Sequence, residues 1–301
     1  MTILEALNEA NEQLKKAEIE SPMLDAQVIL AHLLQEKKSW LFSHFNDTLK
    51  LGVIEIFSKA IHRRASHEPV AYIIGSKPFY GRTFLVTPSV LIPRPATETM
   101  IEQVLLLTKE SDAEHTLLCD IGTGSGAIAI TIHLETSLPV IATDLSKEAL
   151  EVARKNAELL EAHEINFRQG NLLDPIVSLF ESIKTSNDPN VSSVFPFKHL
   201  IICANLPYLS DAQMDALDAD VRFEPVSALE AGPDGLSAYH QLFRQLAKHR
   251  KLLPRAVTIL IEIDPSQKQK ALDLITHSFP TSQPVVIQDL QGLDRIILAR
   301  M

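Results

Sequence analysis

The chain is 301 residues long, 46% apolar and 22% charged, with a net charge of −10. Those fractions describe a globular protein with a sizeable core, and the length suits two domains; no apolar run is long enough to span a bilayer. The acidic balance argues against broad nucleic-acid binding, which depends on neutralising phosphates.

From Met1 to about Ile74 the apolar periodicity is helical. Met1 to Lys16 mixes Glu, Asn, Gln and Lys with Leu and Ile, which is not a signal peptide. Ile3, Leu4, Leu7 and Leu14 form one face of a first helix. Ser21-Pro22 is a start signal, with Ser as cap and Pro at the first helical position. Leu24, Val28, Ile29, Ala31 and Leu33 supply the next apolar face. Trp40, Leu41 and Phe42 form a short third element, and Ile54, Phe57, Ile61 and Arg64 another helix that ends near Glu68-Pro69. Residues 1–74 are therefore expected to be an α-helical domain, serving either substrate recognition or stability alone.

Residues 75–110 read as a linker and a first helix. Phe79 to Val86 places aromatic and β-branched residues around Gly81, the pattern of a β-hairpin. Pro93-Arg94-Pro95 holds an extended approach, with Arg94 placed to contact a ligand or partner. Thr97 can cap a helix starting at Glu98.

Over 111–301 strand and helix alternate, the mark of a doubly wound α/β domain. The first strand, Leu117-Leu118-Cys119, runs into Asp120-Ile121-Gly122-Thr123-Gly124-Ser125-Gly126, and a helix begins at Ala127. A second strand, Pro139 to Thr143, ends in Asp144, about twenty residues after the glycines, as expected of an acid that accepts from two ribose hydroxyls. Leu145 to Leu160 is a helix, Ile165 to Arg168 a third strand, and Gly170 to Leu173 its end. Residues 181–199, rich in Ser, Asn, Asp and Pro, read as a loop or insertion. The fourth strand, Leu200 to Cys203, stops at Asn205-Leu206-Pro207-Tyr208. If strand order reverses in the usual way, the first and fourth strands are neighbours, and the glycine turn and Asn205 line one cleft. Tyr239 to Leu253 and Gln267 to Thr276 are helical, Val257 to Glu262 is a fifth strand, and Val285 to Gln288 pairs with Arg295 to Ala299. Cys119 and Cys203, both inside apolar strands, read as buried thiols, which makes the cytoplasm the expected location.

The turn lacks the lysine of a P-loop, and its G-x-G-x-G spacing is not that of dinucleotide enzymes. Glycine turn plus ribose acid suits a nucleoside cofactor without pyrophosphate, and S-adenosylmethionine fits. Its methyl is already electrophilic, so the protein has mainly to position a nucleophile. The Asn205 side-chain oxygen can accept from a substrate –NH2, the Leu206 carbonyl can accept a second N–H, and Tyr208 can pack over a planar group. The histidines show no ligand spacing, and no metal site is expected.

These pieces, with Glu68 to Ile73 and Gly75, Pro93 to Glu98, Phe223-Glu224-Pro225, Ala228-Leu229, Asp234-Gly235-Leu236 and Asp294-Arg295, span nearly the whole chain. Together they resemble the HemK-type N5-glutamine methyltransferases that modify peptide chain release factors. The resemblance implies a helical N-terminal domain and a seven-stranded class I S-adenosylmethionine-dependent methyltransferase domain. It implies cofactor contacts from Asp120, Gly122, Thr123, Gly124, Ser125, Gly126, Asp144, Asn171, Leu172 and Asn205, and catalytic work from Asn205, Leu206, Pro207 and Tyr208. The implied acceptor is the glutamine of a Gly-Gly-Gln loop. The sequence departs from the family in three places: Leu206 stands for the usual proline, Asn171 for an acid, and Ala96 for glutamate. Asn-Leu-Pro-Tyr also occurs in adenine dimethyltransferases of rRNA, so an RNA adenine-N6 methyltransferase is the alternative; a non-catalytic binding protein is a third reading.

Overall fold

Thr2 and Glu5 start the first helix. The Thr2 hydroxyl accepts the Glu5 N–H, and the Glu5 carboxylate accepts the Thr2 N–H at 2.7 Å, which satisfies two orphaned donors. The structure, a computed structural model, describes residues 1–110, 113–185 and 197–301. Its contacts divide the chain into two units: Met1–Ser76 with Asp218–Phe223, and Lys77–Leu217 with Glu224–Met301.

The first unit is helical. Helix α1 (Ile3–Lys16) buries Ile3, Ala6, Leu7, Ala10 and Leu14. Leu4, expected on that face, is 40% exposed, because one residue is about 100° of rotation from Ile3. Helix α2 (Pro22–Leu34) starts at Ser21-Pro22 as read, although the Ser21 side chain makes no capping bond. Leu24, expected inward, is exposed, and Ala26 and Leu30 fill that face. Helices α3 (Lys38–Leu41), α4 (Leu51–Ala65) and α5 (Val70–Ile74) complete the unit. Arg64 sits on the buried face of α4, where its guanidinium reaches Asp25 at 2.6 Å, Asp220 at 2.7 Å and the Glu68 carbonyl at 3.2 Å. A buried cation with three acceptors is the arrangement that burial demands.

Strands β1 (Ser76–Phe79), all but its first residue in the second unit, and β2 (Arg82–Leu85) form the expected hairpin, with Phe79 and Phe84 edge to face at 6.0 Å. Helix α6 (Glu98–Glu110) follows. Then come β3 (Thr116–Ile121), α7 (Ala127–Thr136), β4 (Val140–Asp144), α8 (Lys147–Leu159), β5 (Asn166–Gln169), α9 (Asp174–Thr185) and β6 (His199–Ala204). Residues 181–185, read as the start of a loop, continue α9; residues 186–196 of that segment lie outside the described residues. The Ser237–His249 helix, β7 (Ala256–Glu262), the Lys268–Ser278 helix, β8 (Val285–Gln288) and β9 (Asp294–Arg300) end the chain.

The seven strands run β5-β4-β3-β6-β7-β9-β8, parallel except for β9, which is antiparallel to both neighbours. Both faces are covered, so the strands are apolar almost throughout, and alternation only decides which face each residue joins. Leu117, Cys119 and Ile121 pack with Ile202, Ile259 and Phe243; Leu118 packs with Cys203, Leu260, Met100 and Ile130. Cys119 and Cys203 are thus free, buried and on opposite faces. Strand order reverses between β3 and β6, whose C-terminal ends flank the crevice where ligands bind in such sheets.

Asn156 on α8 ties the hairpin to the glycine turn. It is fully buried, accepts the Leu85 N–H at 2.7 Å, and donates to the carbonyls of Leu85 at 2.9 Å and Ser125 at 2.8 Å. Asn156→Ala removes three hydrogen bonds at a site that water does not reach. It is expected to lower stability by about 2–4 kcal/mol in equilibrium urea unfolding.

Candidate active site

The C-terminal ends of β3, β4, β5 and β6 open onto one cavity of about 560 Å³, lined by Gly122 to Ser125, Asp144, Asn171, Leu172 and Asn205 to Pro207 among others. That volume suits a small-molecule ligand. Asp120, Gly126 and Tyr208, expected at the same site, do not line it.

The glycine turn is held from below. The Gly122 and Thr123 N–H groups both donate to the Thr143 carbonyl at 2.9 Å. Asp120 is fully buried; its Oδ2 accepts the Thr123 hydroxyl at 2.6 Å and the Ala129 N–H at 3.1 Å. Burial pushes its carboxyl up to about 7, against those two donors. Asp120 therefore braces the turn and the start of α7, behind the wall of the cavity. The cause is its even position on β3, which faces α7. Gly126 is likewise structural: a Cβ there would lie 2.8 Å from Ile130 Cδ1.

Asp144 does reach the cavity. Its two oxygens accept the Gly124 and Ser146 N–H groups, each at 2.9 Å. Each oxygen keeps a lone pair for another donor, so the side chain can accept from two adjacent hydroxyls. Burial raises its pKa, opposed by the backbone donors of Gly124 and Ser146. Beside it, Leu172 has a left-handed backbone, φ 51°, and its carbonyl accepts the Thr143 hydroxyl at 3.0 Å. This non-glycine turn aims the residues after β5 at the cavity.

Asn205 follows β6 directly and continues beside Glu262, since Ala204 pairs with Ile261. Its Nδ2 donates to Thr97 Oγ1 at 3.1 Å. Its Oδ1 is buried and has no partner in the protein. Glu262 is 1% exposed. Burial lifts its carboxyl to about 7, while the neighbouring Thr97 and Asn205 side chains and the charges of Arg295 and Arg94 favour the ionised form. The Leu206 N–H donates to the Tyr239 hydroxyl at 3.3 Å, and that hydroxyl lies 3.2 Å from the Ala204 carbonyl and 2.5 Å from the Glu262 carbonyl. With a single proton, it serves one of the two carbonyls at a time. Gln267 Nε2 donates to the Tyr208 carbonyl.

Tyr208 lines a second cavity, of about 290 Å³, with Arg94, Glu262 and Arg295. Arg94 lines both cavities, with its charge held by Glu224, whose other oxygen accepts the Ile92 N–H at 2.9 Å. Sequence reasoning assigned no role to Glu262, Tyr239 or Gln267, and saw in Thr97 only a cap. Glu262 had a signal: like Asp144 and Asn205, it is the polar residue that ends an apolar strand.

Gly122 has φ +74°, and a Cβ there would lie 2.8 Å from Leu206 Cδ2. Gly122→Ala is expected to cost about 1–2 kcal/mol in urea unfolding from backbone strain. It is also expected to weaken S-adenosylmethionine binding in calorimetry, because Leu206 must leave the cavity wall.

Residues 5–75 match the PrmC N-terminal domain, and residues 112–270 match a methyltransferase domain. The release factor glutamine methyltransferase of Bacillus subtilis is 35% identical, over 99% of this chain and 97% of its own. That of Vibrio cholerae is 37% identical, over 100% and 97%, and that of Moorella thermoacetica 36%, over 99% and 98%. Among solved structures, the hMettl16 catalytic domain in complex with MAT2A 3'UTR hairpin 6 aligns with a TM-score of 0.51, over 87% of this chain and 91% of that one. At 15% identity this is a likeness of fold alone. Identity along the whole length, on a sheet that ends at this glycine turn and this asparagine, makes the chain a member of the release factor glutamine methyltransferase family.

Proposed function

We propose that the protein transfers the methyl group of S-adenosylmethionine to the side-chain amide nitrogen of a release factor glutamine, the one in a Gly-Gly-Gln loop. The observation that carries this reading is Asn205 Oδ1, a buried acceptor without a protein partner on the wall that also holds the glycine turn and Asp144. The donor set fits the cofactor. Gly122 to Ser125 offer close backbone approach, Asp144 has lone pairs for ribose hydroxyls, and Asn171 and Leu172 flank the place for an adenine. When bound, S-adenosylmethionine supplies an electrophilic methyl.

The protein's own task is to present a poor nucleophile. An amide nitrogen shares its lone pair with its carbonyl, so it must be held in line and away from water. Asn205 Oδ1 accepts one amide N–H and the Leu206 carbonyl the other. Both contacts strengthen as the nitrogen gains positive charge. Tyr208, placed on the second cavity, bounds the acceptor from that side. Residues 1–74 serve recognition of the protein substrate, 75–110 link, and 111–301 carry the chemistry. A translation factor as substrate makes the cytoplasm the working compartment; among the described residues no helix is long and apolar enough to cross a membrane.

Incubation of the protein with labelled S-adenosylmethionine, offering release factor and rRNA separately, tests the proposal. Fragment mass spectrometry should place one methyl on the glutamine side-chain nitrogen. Methyl found only on adenine transfers the protein to the RNA-modifying alternative. Asp144→Ala is expected to weaken cofactor binding about ten- to a hundredfold in calorimetry, the loss of charge-assisted bonds worth about 1.5–3 kcal/mol. Asn205→Ala should bind cofactor nearly normally yet turn over about a hundredfold more slowly, because the reacting atom is no longer placed. Asn205→Asp keeps the acceptor oxygens and should retain more activity than Asn205→Ala, less the cost of the added charge.

A further inference from the structure

The proposed chemistry leaves one buried acid unused. Glu262 is 1% exposed at the end of β7 and lines the second cavity. The two cations near it are engaged elsewhere, Arg94 by Glu224 and Arg295 by Asp289 at 3.0 Å. Its Oε2 is buried without a hydrogen bond. Keeping a carboxylate there is costly, and an apolar residue would pack at that position with less penalty.

Its neighbours indicate what it does. A side-chain amide can sit in two orientations, related by exchange of Oδ1 and Nδ2, and only its surroundings choose between them. Asn205 Nδ2 has two hydrogens. One goes to Thr97 Oγ1 at 3.1 Å. The other has Glu262 beside it on the neighbouring strand, where Asn205 and Thr97 both favour the ionised carboxylate. In the ionised form, which Thr97, Arg295, Asn205 and Arg94 favour, the carboxylate accepts only. In the exchanged orientation Asn205 Oδ1 would meet carboxylate oxygen, acceptor against acceptor, and Nδ2 would turn toward the substrate N–H groups, donor against donor. We infer that Glu262, with Thr97, is a positioning residue that fixes the Asn205 amide with its oxygen free to accept the N–H of the acceptor amide. This rests on the role of Asn205 proposed above. Glu262 touches neither substrate nor cofactor in this scheme and acts through Asn205.

The test uses the full-length protein, purified release factor and labelled S-adenosylmethionine, and compares Glu262→Leu, Glu262→Gln, Asn205→Ala and the Asn205→Ala/Glu262→Leu double variant. Glu262→Leu is expected to lose about tenfold or more in kcat, through misplacement of the amide, with cofactor Kd and release-factor KM little changed. Glu262→Gln keeps an acceptor oxygen and is expected to restore kcat to within about threefold of the parent. In the Asn205→Ala background Glu262→Leu is expected to cost nothing further, since residues that act through one another are not additive. Unchanged kcat in Glu262→Leu overturns the inference, as does a loss that repeats in full without the Asn205 side chain. If Glu262→Leu does not fold, Thr97→Val replaces it, with the same loss of kcat expected and full kcat overturning the inference. A crippled Asn205→Ala beside an intact Glu262→Leu sinks only the positioning role. An Asn205→Ala that turns over normally, or a parent protein that leaves release factor unmodified, sinks the Asn205 reading and this inference with it.

Discussion

The site depends on the pairing of β3 with β6. Six residue pairs, Thr116 with His199 through Ile121 with Ala204, run in parallel register to the end of both strands. The chain leaves the two strands at the same level, so Gly122 comes out beside Leu206. The approach is so close that a methyl on Gly122 would overlap the Leu206 side chain. Two stretches far apart in sequence thus become one wall. A shift of register would move every side chain of β6 to the other face and separate the asparagine from the turn.

Around that wall the protein concentrates buried acids. Burial raises Asp120, Asp144 and Glu262 alike, yet their partners differ. Asp120 takes both of its donors, the Thr123 hydroxyl and the Ala129 N–H, on one oxygen, and its other oxygen is buried without a partner. Asp144 is satisfied by backbone on one side and open on the other. Glu262 has Thr97 and Asn205 beside it, yet one of its oxygens is buried without a hydrogen bond. One chemical group therefore sits in three different settings, according to which donors reach it. Tyr239 adds a neutral clamp at the ends of β6 and β7, where its hydroxyl meets the backbone of Ala204, Leu206 and Glu262.

The parts legible in the sequence were those with local signatures. Apolar runs that stop at a glycine, an acid or an asparagine located β3, β4 and β6 and the residues at their ends. Reading the order reversal placed the glycine turn and Asn205 together. What the sequence concealed is direction and partnership. Nothing in the string of letters says that Asp120 faces α7, or that Tyr208 turns to the neighbouring cavity. Thr97 looked like a cap because capping is what a threonine before a helix usually does; its contact with Asn205 joins segments that only the fold brings near. Leu4 and Leu24 belong to apolar helices but fall off the buried stripe, an error of one residue that period counting tolerates. The helix through Thr185 was hidden by the polar, proline-rich residues that follow it.

The ion cluster of Arg64 bears on where the helical unit can be cut. Asp220 supplies one of its two carboxylates, and residues 218–223 belong with the helical unit although the chain reaches them only after β6. The backbone therefore passes between the units at 76/77, 217/218 and 223/224. A gene fragment that stops at the first of these crossings encodes the helices but omits the partner of their buried cation. In such a fragment Asp25 alone would face a guanidinium built for two acids. The unit is continuous in space and interrupted in the gene, so a faithful excision would have to rejoin its two pieces by a permuted or bridged chain.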